Sequence, residues 1–148
     1  MIRQPAVAGT FYPANAGALR HTVTQFLNAS GPSRVGGRPK ALIAPHAGYV
    51  YSGVVAGRAY AQLIGCAETI RRVILLGPTH RVHIRGMALP GVASFATPLG
   101  EIPIDQDAVR KLTGMPQVVV NDAAHASEHS LEVQLPFLQS VLNDFSLV

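Results

Sequence analysis

Two apolar runs in this chain, KALIAPH over residues 40–46 and VILLGPTH over residues 73–80, each close on a proline and then a histidine. Between them SGVVAGRAYAQLIG, residues 52–65, has the length and small-residue content of a helix, with Ser52 as its expected N-cap. Strand, helix and strand at this spacing predict a βαβ unit. Its strands, over residues 40–45 and 71–77, should run parallel through a right-handed crossover and be covered on both faces. This one arrangement restricts the chain to the α/β class. Gly53 and Gly57 inside the helix point to close packing against the sheet.

The flanking segments fit that class. Asn15 caps an expected helix that aligns Leu19, Val23, Phe26 and Leu27, and SGPSRVGGRP, residues 30–39, reads as a loop. GMALPG and SFATPLGEIPID are β-like stretches interrupted by Pro90, Pro98 and Pro103, so an edge hairpin or extended excursion is expected there. Asp105 is placed to cap a helix, QVVVN over residues 117–121 reads as a third core strand, and SLEVQLPFLQSVL as a helix kinked at Pro136. FSLV, residues 145–148, looks like the opening of a further buried strand. The expectation is a single domain over residues 1–148, a three-layer α/β/α arrangement with a mainly parallel sheet that is incomplete at its C-terminal end.

With 148 residues, 48% of them hydrophobic and 14% charged, the chain can bury a core and does not read as disordered. Its formal charge of +4 comes from scattered arginines and lysines without a basic run or interleaved aromatics, so a nucleic-acid partner is not expected. No apolar stretch approaches the ~20 residues of a membrane helix. The lone Cys66 cannot form an internal disulfide and reads as a small apolar residue, which fits a reducing cytoplasm.

Ligands of open α/β sheets bind beyond the carboxyl ends of the strands. His46 and His80 follow their strands at equivalent positions, so two imidazoles on neighbouring strands are expected to meet at one ion; imidazole suits zinc, copper and iron alike. Tyr49 and Tyr51 alternate in direction, which puts one phenol near that ion as a substrate contact and the other in the core. A second cluster, HASEH over residues 125–129, spells the H-x-x-E-H pattern of some zinc proteases; that chemistry needs both histidines on one helical face. His21 and His83 read as surface residues.

Together AGTFYP, APHAGYVYSG, LLGPTHR, FATPLGEIPID and EHSLEVQLPF occur in the order found in the Memo family, whose prokaryotic members are called AmmeMemoRadiSam system protein B, and the chain resembles that family from about Val7 onward. The family fold is similar to that of class III extradiol dioxygenases. The resemblance implies a metal-dependent, oxidoreductase-like or dioxygenase-like site with His46 and His80 as ligands. Iron is the expected ion, with copper and zinc as alternatives. It also implies that the remaining ligands, an aspartate, a histidine and a cysteine, lie beyond Val148, so the site should be incomplete here. Glu128-His129-Ser130 matches the family's EHS motif. His129 is then expected as a neighbouring general base and Glu128 as its catalytic partner or, in a facial triad with His46 and His80, as a third ligand. FYP, residues 11–13, should form an N-terminal plug at the site mouth. The rival readings are a crevice that binds a peptide or other partner without catalysis, and the HASEH protease. A small molecule or peptide is the expected ligand, and an exposed sheet edge would favour a homo-oligomer.

Overall fold

The structure, a computed structural model, describes residues 1–29, 31 and 37–148; of the loop expected over residues 30–39, positions 30 and 32–36 lie outside the described residues. Strand β1 (Ile2–Arg3) leads through the Val7–Tyr12 segment to helix α1 (Ala16–Asn28). The Asn15 side chain caps α1 by accepting the Ala18 N–H, and Leu19 and Val23 are fully buried. Helix α2 (Tyr49–Ala61) follows, then a 3-10 turn (Ile64–Thr69) and β2 (Arg72–Val73). The middle of the chain forms β3 (Met87–Leu89), β4 (Ser94–Thr97), β5 (Gly100–Pro103) and helix α3 (Gln106–Leu112), which Asp105 caps as expected. After β6 (Val118–Val120) and the short α4 (Ala123–Ala126), a 3-10 turn (Glu132–Gln134) runs into α5 (Leu135–Val141), and β7 (Ser146–Leu147) ends the order.

The class is α/β with mainly parallel pairing. β1 pairs with β4, β2 with β7 and β3 with β6, all parallel, while β4 and β5 form an antiparallel hairpin. An isolated bridge between Ile104 and Leu147 links the β1–β4–β5 sheet to the β2–β7 pair. The expected hairpin is present, but β4 is the central strand of its sheet and wholly buried instead of lying at an edge. The prolines sit where no ladder bond is asked of them: Pro98 in the turn, Pro103 at the end of β5 and Pro90 just past β3.

Several expectations are corrected. The run over residues 40–45 is not a strand. Leu42 and Ala44 pack against the core while Ile43 between them is fully exposed. The alternation of an extended chain is there, but among the described residues no neighbouring backbone closes a ladder, and a strand exists only in company. The run over residues 71–77 forms β2 for two residues only, with further bonds from Leu75 N–H to the Val148 carbonyl, from Ser146 N–H to the Arg71 carbonyl and from Val148 N–H to the Val73 carbonyl. Its Ile74 and Leu76 face solvent while Val73 and Leu75 face the core, so the two runs are covered on one face rather than both. The third expected core strand, β6, buries Val118 and exposes Val119 and Val120.

Helix α2 begins at Tyr49, three residues before the expected start. Gly48 occupies the N-cap position, the Tyr49 N–H donates to the Phe11 carbonyl, and the Ser52 hydroxyl donates back to the Ala47 carbonyl. Its glycines do serve close packing, against α1 rather than the sheet: a Cβ at Gly53 would meet the Phe26 ring at 2.2 Å and one at Gly57 the Phe26 carbonyl oxygen at 2.5 Å. The single helix expected over residues 130–142 is instead a 3-10 turn followed by α5, and the division falls just before Pro136. Pro136 lies in the first turn of α5, where its missing N–H has no helical partner to lose. The α1, α2 and α5 helices pack on one another around Phe137, which stacks on Tyr60 and touches Phe26 and Tyr49. No helix among the described residues is long and apolar enough to cross a membrane.

Candidate metal centre

Three loops deliver the site. His46 lies between the apolar run and the N-cap of α2, His80 lies in the loop after Pro78, and His129 lies between α4 and the 3-10 turn that starts α5. Their rings meet: His46 and His80 centroids are 5.3 Å apart, His46 and His129 5.8 Å, and His80 and His129 4.7 Å, nearly stacked. One ring nitrogen from each lies within 4.8 Å of the other two. His46 and His80 therefore converge although the run before His46 forms no strand and the run before His80 forms only the two-residue β2.

Glu128 organises the group. Its carboxylate accepts the His80 N–H at 2.5 Å, the His80 Nδ1–H at 2.9 Å, and the His129 and Ser130 N–H groups at 2.8 and 2.9 Å. His129 Nδ1 lies 3.1 Å from the same oxygen. Burial alone would raise the Glu128 pKa, but these donors outweigh it and bring the group down to about 2, so it is a carboxylate at any working pH. The tautomer that donates from Nδ1 of His80 leaves its Nε2 lone pair free. This is the carboxylate–histidine arrangement that orients imidazole ligands in metal sites. Burial, together with the His80, His46 and Arg81 charges, holds the His129 imidazole below its ordinary value against the pull of Glu128. A neutral imidazole is the form that binds metal.

The donor chemistry fits a divalent ion of the imidazole-preferring kind: three imidazole nitrogens close to one another, with a carboxylate hydrogen-bonded to the residues that carry two of them. The facial triad of His46, His80 and Glu128 is not what the geometry arranges. Glu128 already takes four donors and lies 5% exposed behind the rings, whereas His129 presents the third nitrogen. Tyr49 is core: its hydroxyl donates to the Val133 carbonyl at 2.8 Å and its ring packs on Tyr12 and Phe137, so it is not available as a substrate contact. Tyr51, in the first turn of α2, is exposed at 88%. Phe11, from the expected plug, lays its ring 4.6 Å from that of His129.

The HASEH protease reading is overturned. α4 ends at Ala126, so the two histidines do not share a helical face. His125 is buried, its Nε2 3.2 Å from the Ala88 carbonyl and its ring edge-on to Phe95, while His129 turns to the other cluster. Cys66 packs partly against the core, and His21 and His83 are exposed, as expected. Sequence reasoning passed over Arg3 and Glu132, a buried ion pair at 2.5 Å. The available signal was a single glutamate inside the apolar stretch LEVQLPF, which a helix buried all round cannot hold without a cation.

The family model described as Memo-like protein matches residues 3–148. Among similar curated proteins, a MEMO1 family protein of Ignicoccus hospitalis is 42% identical over 155 residues, covering 97% of this chain and 53% of its own length. Others from Archaeoglobus fulgidus and Thermotoga neapolitana are 40% and 37% identical, covering 99% and 100% of this chain and 52% and 57% of theirs. The chain thus spans about half the length of the curated relatives it matches. With nearly every described residue inside the match and identity at this level in several relatives, the chain belongs to the Memo-like family.

Proposed function

We propose that this chain contributes a divalent-metal site made by His46, His80 and His129, oriented by Glu128, for metal-dependent oxidoreductase chemistry of the dioxygenase-like kind. The observation that carries the reading is the mutual approach of three imidazole nitrogens to within 4.8 Å. Iron is the favoured ion, with copper and zinc as alternatives that the same ligands accept. A bound ion of this type supplies Lewis acidity and, for iron or copper, electron transfer. The residues of the chain supply the rest. His46, His80 and His129 would hold the ion through one imidazole nitrogen each. Glu128 keeps the Nδ1 proton on His80 and thereby the lone pair on Nε2. Phe11 closes one side of His129 against water, and exposed Tyr51 flanks the loop that carries His46, where a small molecule or peptide would approach.

Titrating the purified chain anaerobically with Fe²⁺, and separately with Cu²⁺ and Zn²⁺, tests the reading by calorimetry and metal analysis. One ion per chain is expected, with His80→Ala and His129→Ala each weakening binding at least tenfold. Unchanged affinity in both variants would overturn it and leave the crevice as a binding surface without a metal.

A further inference from the structure

Behind the histidines lies a charge pair that nothing above uses. Arg3 on β1 is 7% exposed, and its guanidinium reaches three acceptors far along the chain. Nε donates to the His125 carbonyl at 2.9 Å, Nη2 to the Glu128 carbonyl at 2.7 Å and Nη1 to the Glu132 carboxylate at 2.5 Å. The Glu128 carbonyl belongs to the peptide whose N–H, on His129, donates to the Glu128 carboxylate. A peptide is planar, so holding its oxygen aims its N–H. Arg3 therefore sets the direction of one of the donors that fix Glu128 and of the residue that carries the third imidazole.

Glu132 extends the same grip to the other side of the site. Besides Arg3 its carboxylate accepts the Ala6 and Val7 N–H groups at 2.8 and 3.0 Å and the Tyr12 hydroxyl at 2.5 Å. These bonds shape the segment in which Phe11 lies. Phe11 in turn touches the His129 ring and, through its carbonyl, caps the Tyr49 N–H at the start of α2, three residues past His46.

We propose that Arg3 and Glu132 are positioning residues of the three-histidine site: a buried ion pair that sets the plane of the 128–129 peptide and seats Phe11 against His129. The inference rests on the metal-site reading for its affinity readout, but not for its structural one. The planar fork serves three acceptors at once, which an ammonium cannot copy from the same place. Arg3→Lys thus retains the charge beside Glu132 and loses the geometry.

The test compares the wild-type chain, Arg3→Lys and a core control, Val23→Ala, on the buried face of α1. The ring ¹⁵N shifts of His80 and His129 are recorded in the metal-free chain, and the Zn²⁺ dissociation constant is measured for each variant. Arg3→Lys is expected to replace the single Nδ1–H tautomer of His80 by a mixture and to weaken Zn²⁺ roughly 10–100-fold, the range for loss of a residue that orients ligands. Val23→Ala is expected to change neither. Wild-type tautomers and affinity in Arg3→Lys, or an equal shift in Val23→Ala, overturn the proposal. A wild-type chain that binds none of Fe²⁺, Cu²⁺ and Zn²⁺ removes the metal reading, while the ¹⁵N arm still decides the positioning role. Should Arg3→Lys not fold, Tyr12→Phe carries the same test, since it removes one donor from Glu132 and leaves no charge unpaired. A smaller shift in the same direction supports the positioning role, and the absence of any shift overturns it.

Discussion

At the scale of single residues, the site depends on where a few protons sit. Glu128→Gln replaces a carboxylate with a group that is half donor, and it faces four donors already. One of them must then go without a partner, and His80 loses what fixes its tautomer. Zn²⁺ affinity, measured by calorimetry, should fall roughly 10–100-fold. His125 gives a pH dependence. Burial lowers its pKa, opposed by the contact with the Ala88 carbonyl, helped by Arg3 and opposed again by Asp122 and Glu128. A histidine depressed in the folded state binds fewer protons there than in the unfolded chain. Its stabilising contribution is complete above the ordinary value of 6.5 and is lost as pH falls from there through the folded value. Urea midpoints of the wild type should drop between pH 7.5 and 5.5, and those of His125→Gln should drop less. An identical decline in both would show that His125 titrates freely.

At the scale of elements, tight helix contacts outrank propensity. Gly57→Ala should raise the intrinsic preference of α2 for helix, by roughly 1 kcal/mol, yet its new methyl would press on the Phe26 backbone. Overpacking of this kind costs about 1–3 kcal/mol, so the urea midpoint is expected to fall, not rise. Asn15→Ala removes the cap of α1 and should cost about 1 kcal/mol in the same assay. These two features were readable from residue type: an asparagine before an amphipathic run, and glycines where a helix approaches something closely. What the glycines approach was not readable. The answer was another helix, and residue type carries no record of the partner.

For the whole molecule, Ile43, Ile74 and Leu76 are exposed at 100, 68 and 76% while Leu42 and Leu75 beside them pack inward. Such apolar display favours association. The double variant Ile43→Gln and Leu76→Gln should leave the folding free energy within about 0.5 kcal/mol, as for other surface changes, while light scattering at high concentration falls. A large loss of stability would mean that these side chains are covered.

Local chemistry was enough to determine the caps at Asn15 and Asp105 and the β4–β5 hairpin, because each follows from a residue's own geometry or from alternation, whereas the α/β class and the approach of His46 to His80 hold although one of the strands they were read from is absent and the other is two residues long. Only the tertiary structure decided the strands at 40–45 and 71–77, which need a neighbouring backbone that no run of residues contains. It also decided the split of HASEH into a buried His125 and a site-facing His129, and the joining of Arg3 to Glu132 across 129 positions. A hydrogen bond or ring contact between distant segments depends on how the chain returns upon itself, and spacing along the chain does not encode that return.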